Sequence, residues 1–137
     1  KFQDRVFVPI TTVLMGLLRG ACVVWPAEDV ARWIAQCHRQ LQQAGKLERH
    51  ISLSLFARWC DWIAAQRHIK ILGIFARLSL RDGKHGYLND IPVDYRYVLD
   101  ELAPYAELAP LRVILFRLLP EYFARNPSAA PILESYL

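Results

Sequence analysis

The chain has 137 residues, of which 54% are hydrophobic and 22% charged, long enough for one domain with a real core. A net charge of +4 and a pI near 9.2 fall short of the dense basic patch that nucleic-acid binding requires, which argues against nucleic acid as a partner. Three cysteines, Cys22, Cys37 and Cys60, are too few and too scattered for a disulfide framework and fit a reducing cytoplasm.

The first apolar stretch runs from Val6 to Leu18, contains Thr11 and Thr12, and is fenced by Arg5 and Arg19. It is shorter than the roughly 20 apolar residues that a bilayer span takes, and no cleavable leader pattern is visible. The chain reads as soluble, with no membrane partner. From Pro9, the residues Ile10, Val13, Leu14, Leu17 and Leu18 fall at helical spacing, and Pro9 suits a first turn.

A second helix is expected from Pro26. Glu28 and Asp29 favour the positive end of its dipole, Val30, Ile34, Cys37 and Leu41 form its buried stripe, and Gly45 ends it. The third and longest segment spans Ser54 to Leu80, with Leu55, Trp59, Trp62, Ile63, Ile71, Ile74, Phe75 and Leu78 in helical rhythm and a bend allowed near Arg67 or Gly73. The run Asp82-Gly83-Lys84-His85-Gly86 reads as a loop. A helix follows from Val93 to Leu102, then another from Pro110 to Ala124, kinked at Pro120. No strand pair is expected. The fold class is therefore all-α, with residues 1–125 as a helical subdomain and 126–137 as a tail.

Few residues point to chemistry by spacing alone. The stretch GKHG at 83–86 lacks the glycine spacing of a phosphate-cradling loop. Cys37 and His38 are adjacent, which sends them to different helix faces and makes buried thiols a better reading than a metal site. No nucleophile–base pair can be named. Arg67, Lys70, Arg77 and Arg81 are spaced by 3, 7 and 4 residues. They share one helix face, opposite much of the Trp/Ile/Phe stripe. Two readings stand: a solvated face, the commoner case, or a cationic wall that meets an anionic ligand. His68 faces away from this wall and reads as a satisfied buried histidine.

The run QRHIKILGIFARLSLRDGKHGYLNDIP at 66–92 resembles the C-terminal helical region of the aminoglycoside-phosphotransferase-like kinases. Within them it is most similar to the anomeric kinases of N-acetylmuramate and N-acetylglucosamine that serve cell-wall recycling. The resemblance extends from Phe2 to about Leu118. It implies the helical C-terminal subdomain of a kinase-like fold without the nucleotide-binding lobe, and hence a fragment or the product of a truncated gene. For the intact family it implies ATP and Mg2+; for this chain alone it implies no cofactor.

Carried over residue by residue, the resemblance divides the chain. Phe2, Gln3 and Asp4 match a metal-binding motif whose leading Asp is replaced by Lys1, leaving Asp4 as the one metal-ligand candidate. Pro9, Ile10 and Thr11 match the following segment, whereas Val8 and Thr12 depart from it and Val13 and Gly20 stand where the family has acidic residues. No catalytic residue is assigned. Arg67, His68, Lys70, Arg77, Arg81, Asp82, Lys84, Tyr87 and Leu88 agree with the family run. Since the helical subdomain walls the sugar pocket in such kinases, Arg67, Lys70, Arg77, Arg81, Lys84 and Tyr87 are the substrate-binding candidates.

The reading that follows is the substrate lobe of an ATP-dependent amino-sugar phosphotransferase, inactive alone and cytoplasmic, with an amino sugar as substrate. The alternative is a degenerate helical module for protein association, including homo-oligomer formation through the first helix. A basic helical binder of an anionic polymer has only the net charge in its favour.

Overall fold

The computed structural model describes residues 9–20 and 23–125, side chains from 119 onward excepted. Asp4, Cys22 and the tail at 126–137 lie outside the described residues. The expected helices are present, and the chain divides into two compact units, Lys1–Ala64 and Ala65–Leu137. The boundary falls inside the longest helix.

Unit 1 begins with α1 (Ile10–Leu18), which follows Pro9. Its inward residues are Thr11 and Met15, flanked by the half-buried Leu14 and Leu18. Val13 and Leu17 are 50% and 71% exposed, so the inward face is turned from the stripe read off the sequence. The chain then forms a ribbon of β1 (Arg19–Gly20) and β2 (Val23–Val24), antiparallel, with Arg19 opposite Val24 and Gly20 opposite Val23. This ribbon corrects the expectation of no strand pair. Strands of two residues are too short to show the alternation by which strands are recognised.

Helix α2 (Ala27–Gln43) starts after Pro26, with Glu28 and Asp29 in its first turn. It ends where Gly45 takes φ +66°. There the Lys46 N–H donates to the Leu41 carbonyl at 2.8 Å and the Gly45 N–H to that of Gln42 at 3.1 Å, which closes the last turn as a C-terminal glycine allows. Val30, Ile34 and His38 are its buried residues. His38 Nε2 donates to the Ile51 carbonyl at 2.8 Å, and its ring leans on Phe56 at 5.5 Å.

Helix α3 (Leu53–Asp82) is 30 residues long. Ser52 starts it: its Oγ accepts the Leu55 N–H at 3.1 Å, as an N-cap should. Gly83, at φ +64°, ends it. Within unit 1 the buried face of α3 is Phe56, Cys60 and Ala64, and the core adds Met15, Val30, Ile34 and Ile51. Leu55 and Trp59 lie one position away and Trp62 two, and they are 36%, 38% and 39% exposed. Apart from Phe56 this seam is made of small side chains, and the larger indoles lie outside it. Burial pushes the Cys60 thiol up to about 12, with the neighbouring Asp61 carboxylate adding to the shift.

In unit 2, a 3-10 segment (His85–Asp90) leads into α4 (Ile91–Leu102), with Pro92 in the first turn. A second short 3-10 segment (Ala106–Leu108) precedes α5 (Ala109–Arg125). Helix α4 is the centre of this unit. Ile91, Tyr95, Val98, Leu99 and Leu102 join Ala65 of α3 and Leu115 of α5 in one core, lined by Ile69, Leu72, Phe75 and Phe116. The Tyr95 hydroxyl donates to the Leu115 carbonyl. Burial raises that phenol to about 12.

Candidate functional site

Two features of unit 2 hold the groups capable of chemistry. The first is the cationic strip along the C-terminal half of α3. Arg67 is half-buried, and Lys70, Arg77 and Arg81 are exposed, as is Lys84 in the turn that follows. Arg81 is engaged by its neighbour: Nε donates to Asp82 Oδ1 at 2.7 Å and a terminal nitrogen to Oδ2 at 3.1 Å. That pairing raises the Arg81 pKa further. Lys70, Arg77 and Lys84 make no ion pair with other described residues. They are the uncompensated charges of the strip.

Tyr87 is placed differently. Its ring, 43% exposed, stacks on Phe75 at 5.3 Å. At 3.6 residues per turn, Phe75 lies about 140–160° around α3 from Lys70 and Arg77. The helix therefore keeps Arg67, Lys70, Arg77 and Arg81 on one arc, and Tyr87 is drawn to the other flank. The adjoining turn is tied down by a hydrogen bond of 2.8 Å between Ser79 Oγ and His85 Nδ1.

The second feature is a polar cluster inside unit 2. His68 is completely buried, as the sequence suggested, and Asp94 and Glu101 of α4 are each 1% exposed. His68 Nδ1 donates to Glu101 Oε2 at 3.0 Å. On the other side of the ring, Nε2 lies 3.8 Å from Asp94 Oδ1, within ion-pair range but beyond a hydrogen bond. Tyr97 stacks on the imidazole at 5.1 Å, with 15° between the planes. Both Asp94 oxygens are buried without a hydrogen-bond partner. Desolvation raises the Asp94 pKa, against the pull of His68 and Arg67.

Sequence reasoning found His68 but missed both acids. The available signal was their spacing: Asp94 and Glu101 are seven residues apart, beside the apolar series Ile91, Tyr95, Val98 and Leu102, so they return to nearly the same helix face.

Among the described residues no group of three or more His, Cys, Asp or Glu side chains could hold a metal ion, and no step through magnesium or nucleotide is assigned to them. No described helix is long and apolar enough to cross a membrane.

Comparison with known proteins points to one class, the sugar kinases. The similar proteins are N-acetylmuramate/N-acetylglucosamine kinases. The chain is 40% identical over 117 residues to the one from Neisseria meningitidis serogroup B. It is 38% identical over 117 residues to that of Pseudomonas putida and 37% over 114 to that of Pseudomonas aeruginosa. These matches take in 83–85% of the chain but only 33–35% of each relative. The chain thus spans about a third of the length of the curated relatives it matches. No family model matches it, and no solved structure does.

Proposed function

We propose that this chain is the helical, substrate-side part of an ATP-dependent amino-sugar kinase that phosphorylates N-acetylmuramate or N-acetylglucosamine in cell-wall recycling. The observation that carries the proposal is the 37–40% identity to three such kinases over most of the chain. The predominantly helical architecture is consistent with it. Lys70 and Arg77 are the leading contacts, with Lys84 at the end of the wall; Arg67 and Arg81 flank them, and Tyr87, on the other side of α3, is the least favoured candidate. A carboxylate-bearing sugar such as N-acetylmuramate suits a wall with uncompensated cations, because charge-assisted hydrogen bonds are the stronger kind. ATP and Mg2+ belong to the complete catalytic assembly. Asp4 is a candidate ligand there, and one carboxylate alone is a weak magnesium site.

Phosphoryl transfer requires a nucleotide cradle, metal and a positioned base. The isolated 137-residue chain is therefore expected to turn over no ATP with either sugar. The test has two arms. ATP consumption is measured for the chain alone and for a longer protein that joins it to the remaining length of a related kinase. Sugar-dependent turnover only in the joined protein, with a raised KM for N-acetylmuramate in Lys70→Ala and Arg77→Ala, supports the reading. A joined protein that folds and never turns over sugar rejects it.

A second reading, a helical module for association, is favoured by the apolar exposure of Val13 and Leu17 on α1, since large exposed apolar patches mark interaction surfaces. Light scattering over a dilution series tests it. A monomer at every concentration excludes self-association.

A further inference from the structure

We propose that folding of unit 2 takes up a proton at Asp94, making the contact between α3 and α4 around His68 a proton-operated latch. Two carboxylates, Asp94 and Glu101, face one imidazole, and all three side chains are at most 1% exposed. Glu101 takes the His68 Nδ1–H at 3.0 Å. Asp94 is left 3.8 Å from Nε2, with neither oxygen hydrogen-bonded. A buried carboxylate without hydrogen bonds is among the costliest groups a fold can hold, and the usual resolution is neutralisation. When two carboxylates share a site, the proton goes to the less well-solvated one. Here that is Asp94.

The surrounding charges do not remove the cost. His68 and Arg67 of α3 favour the ionised form of Asp94, while Asp90, just ahead of α4, and Glu101 of α4 oppose it; among the described side chains of α5 no charged group acts on it. The net direction is upward, with burial the largest cause. Tyr97 covers the imidazole face. The proton comes from solvent, rests on an Asp94 oxygen in the folded chain and returns to solvent on unfolding. The latch lies on the stretch of α3 that carries Arg67 and Lys70, so the same proton bears on how that stretch is held.

The competing arrangement is an ionised Asp94 paired with a His68 imidazolium. The two predict opposite slopes. A carboxyl whose folded pKa is raised contributes stability below its unfolded value, near 3.9, and loses it as pH climbs through the folded value. A carboxyl whose folded pKa is lowered gains stability as pH rises. The experiment is urea unfolding of the 137-residue chain and of its Asp94→Asn and Asp94→Ala variants, at intervals from pH 4 to 8. Asn mimics the protonated acid, and Ala removes the group altogether. The expected result is that the unfolding equilibrium constant of the parent rises relative to both variants. The rise begins above about pH 4, at up to about tenfold per pH unit, and levels off once Asp94 ionises in the fold. The slope decides, so a uniform loss of stability in Asp94→Ala leaves the test intact. A ratio that does not change with pH, a ratio that moves the other way, or an Asp94→Asn chain that cannot fold would overturn the proposal.

Discussion

The two units solve the same problem, burying one side of α3, with different materials. In unit 1 the buried set is Met15, Val30, Ile34, Ile51, Phe56, Cys60 and Ala64, with His38 added through a backbone carbonyl. In unit 2 an apolar core of similar size adjoins His68, Asp94 and Glu101, all withdrawn from water. Apolar contact is tolerant: a seam that excludes water can be made by many side chains of roughly the right size. A buried polar network specifies one arrangement and is costly when incomplete. The lesson is that stability in unit 1 is spread over many contacts, whereas in unit 2 much of it depends on the state of three side chains.

The largest expected effect breaks that network. Glu101→Ala leaves His68 without the acceptor on Nδ1 and should cost about 3–5 kcal/mol, the range for removing one partner of a buried pair. Urea unfolding checks it, and a loss under 1 kcal/mol would show that the network carries little. Next comes Tyr95. Because burial raises its phenol to about 12, its contribution is complete below the unfolded value near 10 and is lost as pH rises toward 12. Tyr95→Phe should cost about 1–2 kcal/mol at pH 7 for the lost bond to the Leu115 carbonyl, and its unfolding midpoint should fall less steeply than the parent's between pH 10 and 12.

The matching cut in unit 1 should be milder. His38→Gln removes the ring bond to the Ile51 carbonyl, but Gln42 Nε2 also donates to that oxygen at 3.0 Å, so no acceptor is orphaned. A cost of about 1 kcal/mol is expected, and a cost equal to that of Glu101→Ala would erase the contrast between the units. The smallest effect belongs to the strip. Lys70→Ala and Arg77→Ala should shift stability by less than about 0.5 kcal/mol, because both are exposed, while weakening N-acetylmuramate binding in the joined protein. A clear drop in melting temperature would instead make the strip a scaffold.

Helix positions were largely legible in the sequence because their ends are marked. Pro9 and Pro26 precede α1 and α2, and Gly45 and Gly83 follow α2 and α3. Which face turns inward was less legible. Helix α1 is apolar nearly all round, so spacing does not distinguish Met15 from Leu17. In α3 the indoles of Trp59 and Trp62 are far larger than Cys60 and Ala64, yet those two small residues, with Phe56, form the seam. The cationic arc could be read from spacing alone because helical geometry places those residues wherever α3 packs. The capture of Tyr87 by Phe75 could not, since it depends on the path of the chain after Gly83. Asp94 and Glu101 escaped notice because acids beside an apolar stripe are ordinarily solvated, and only the partner at His68, on another helix, brings them inside.

One consequence follows from α3 being a single helix of 30 residues, with its first half in one core and its second half in the other. The residues around Ala64 and Ala65, both at most 4% exposed, are anchored from both directions. Fraying from either end of the helix must travel through a packed core before it reaches them. Amide hydrogens in this middle stretch should therefore be the last of α3 to exchange with deuterated solvent, and the helix should lose protection from its two ends inward.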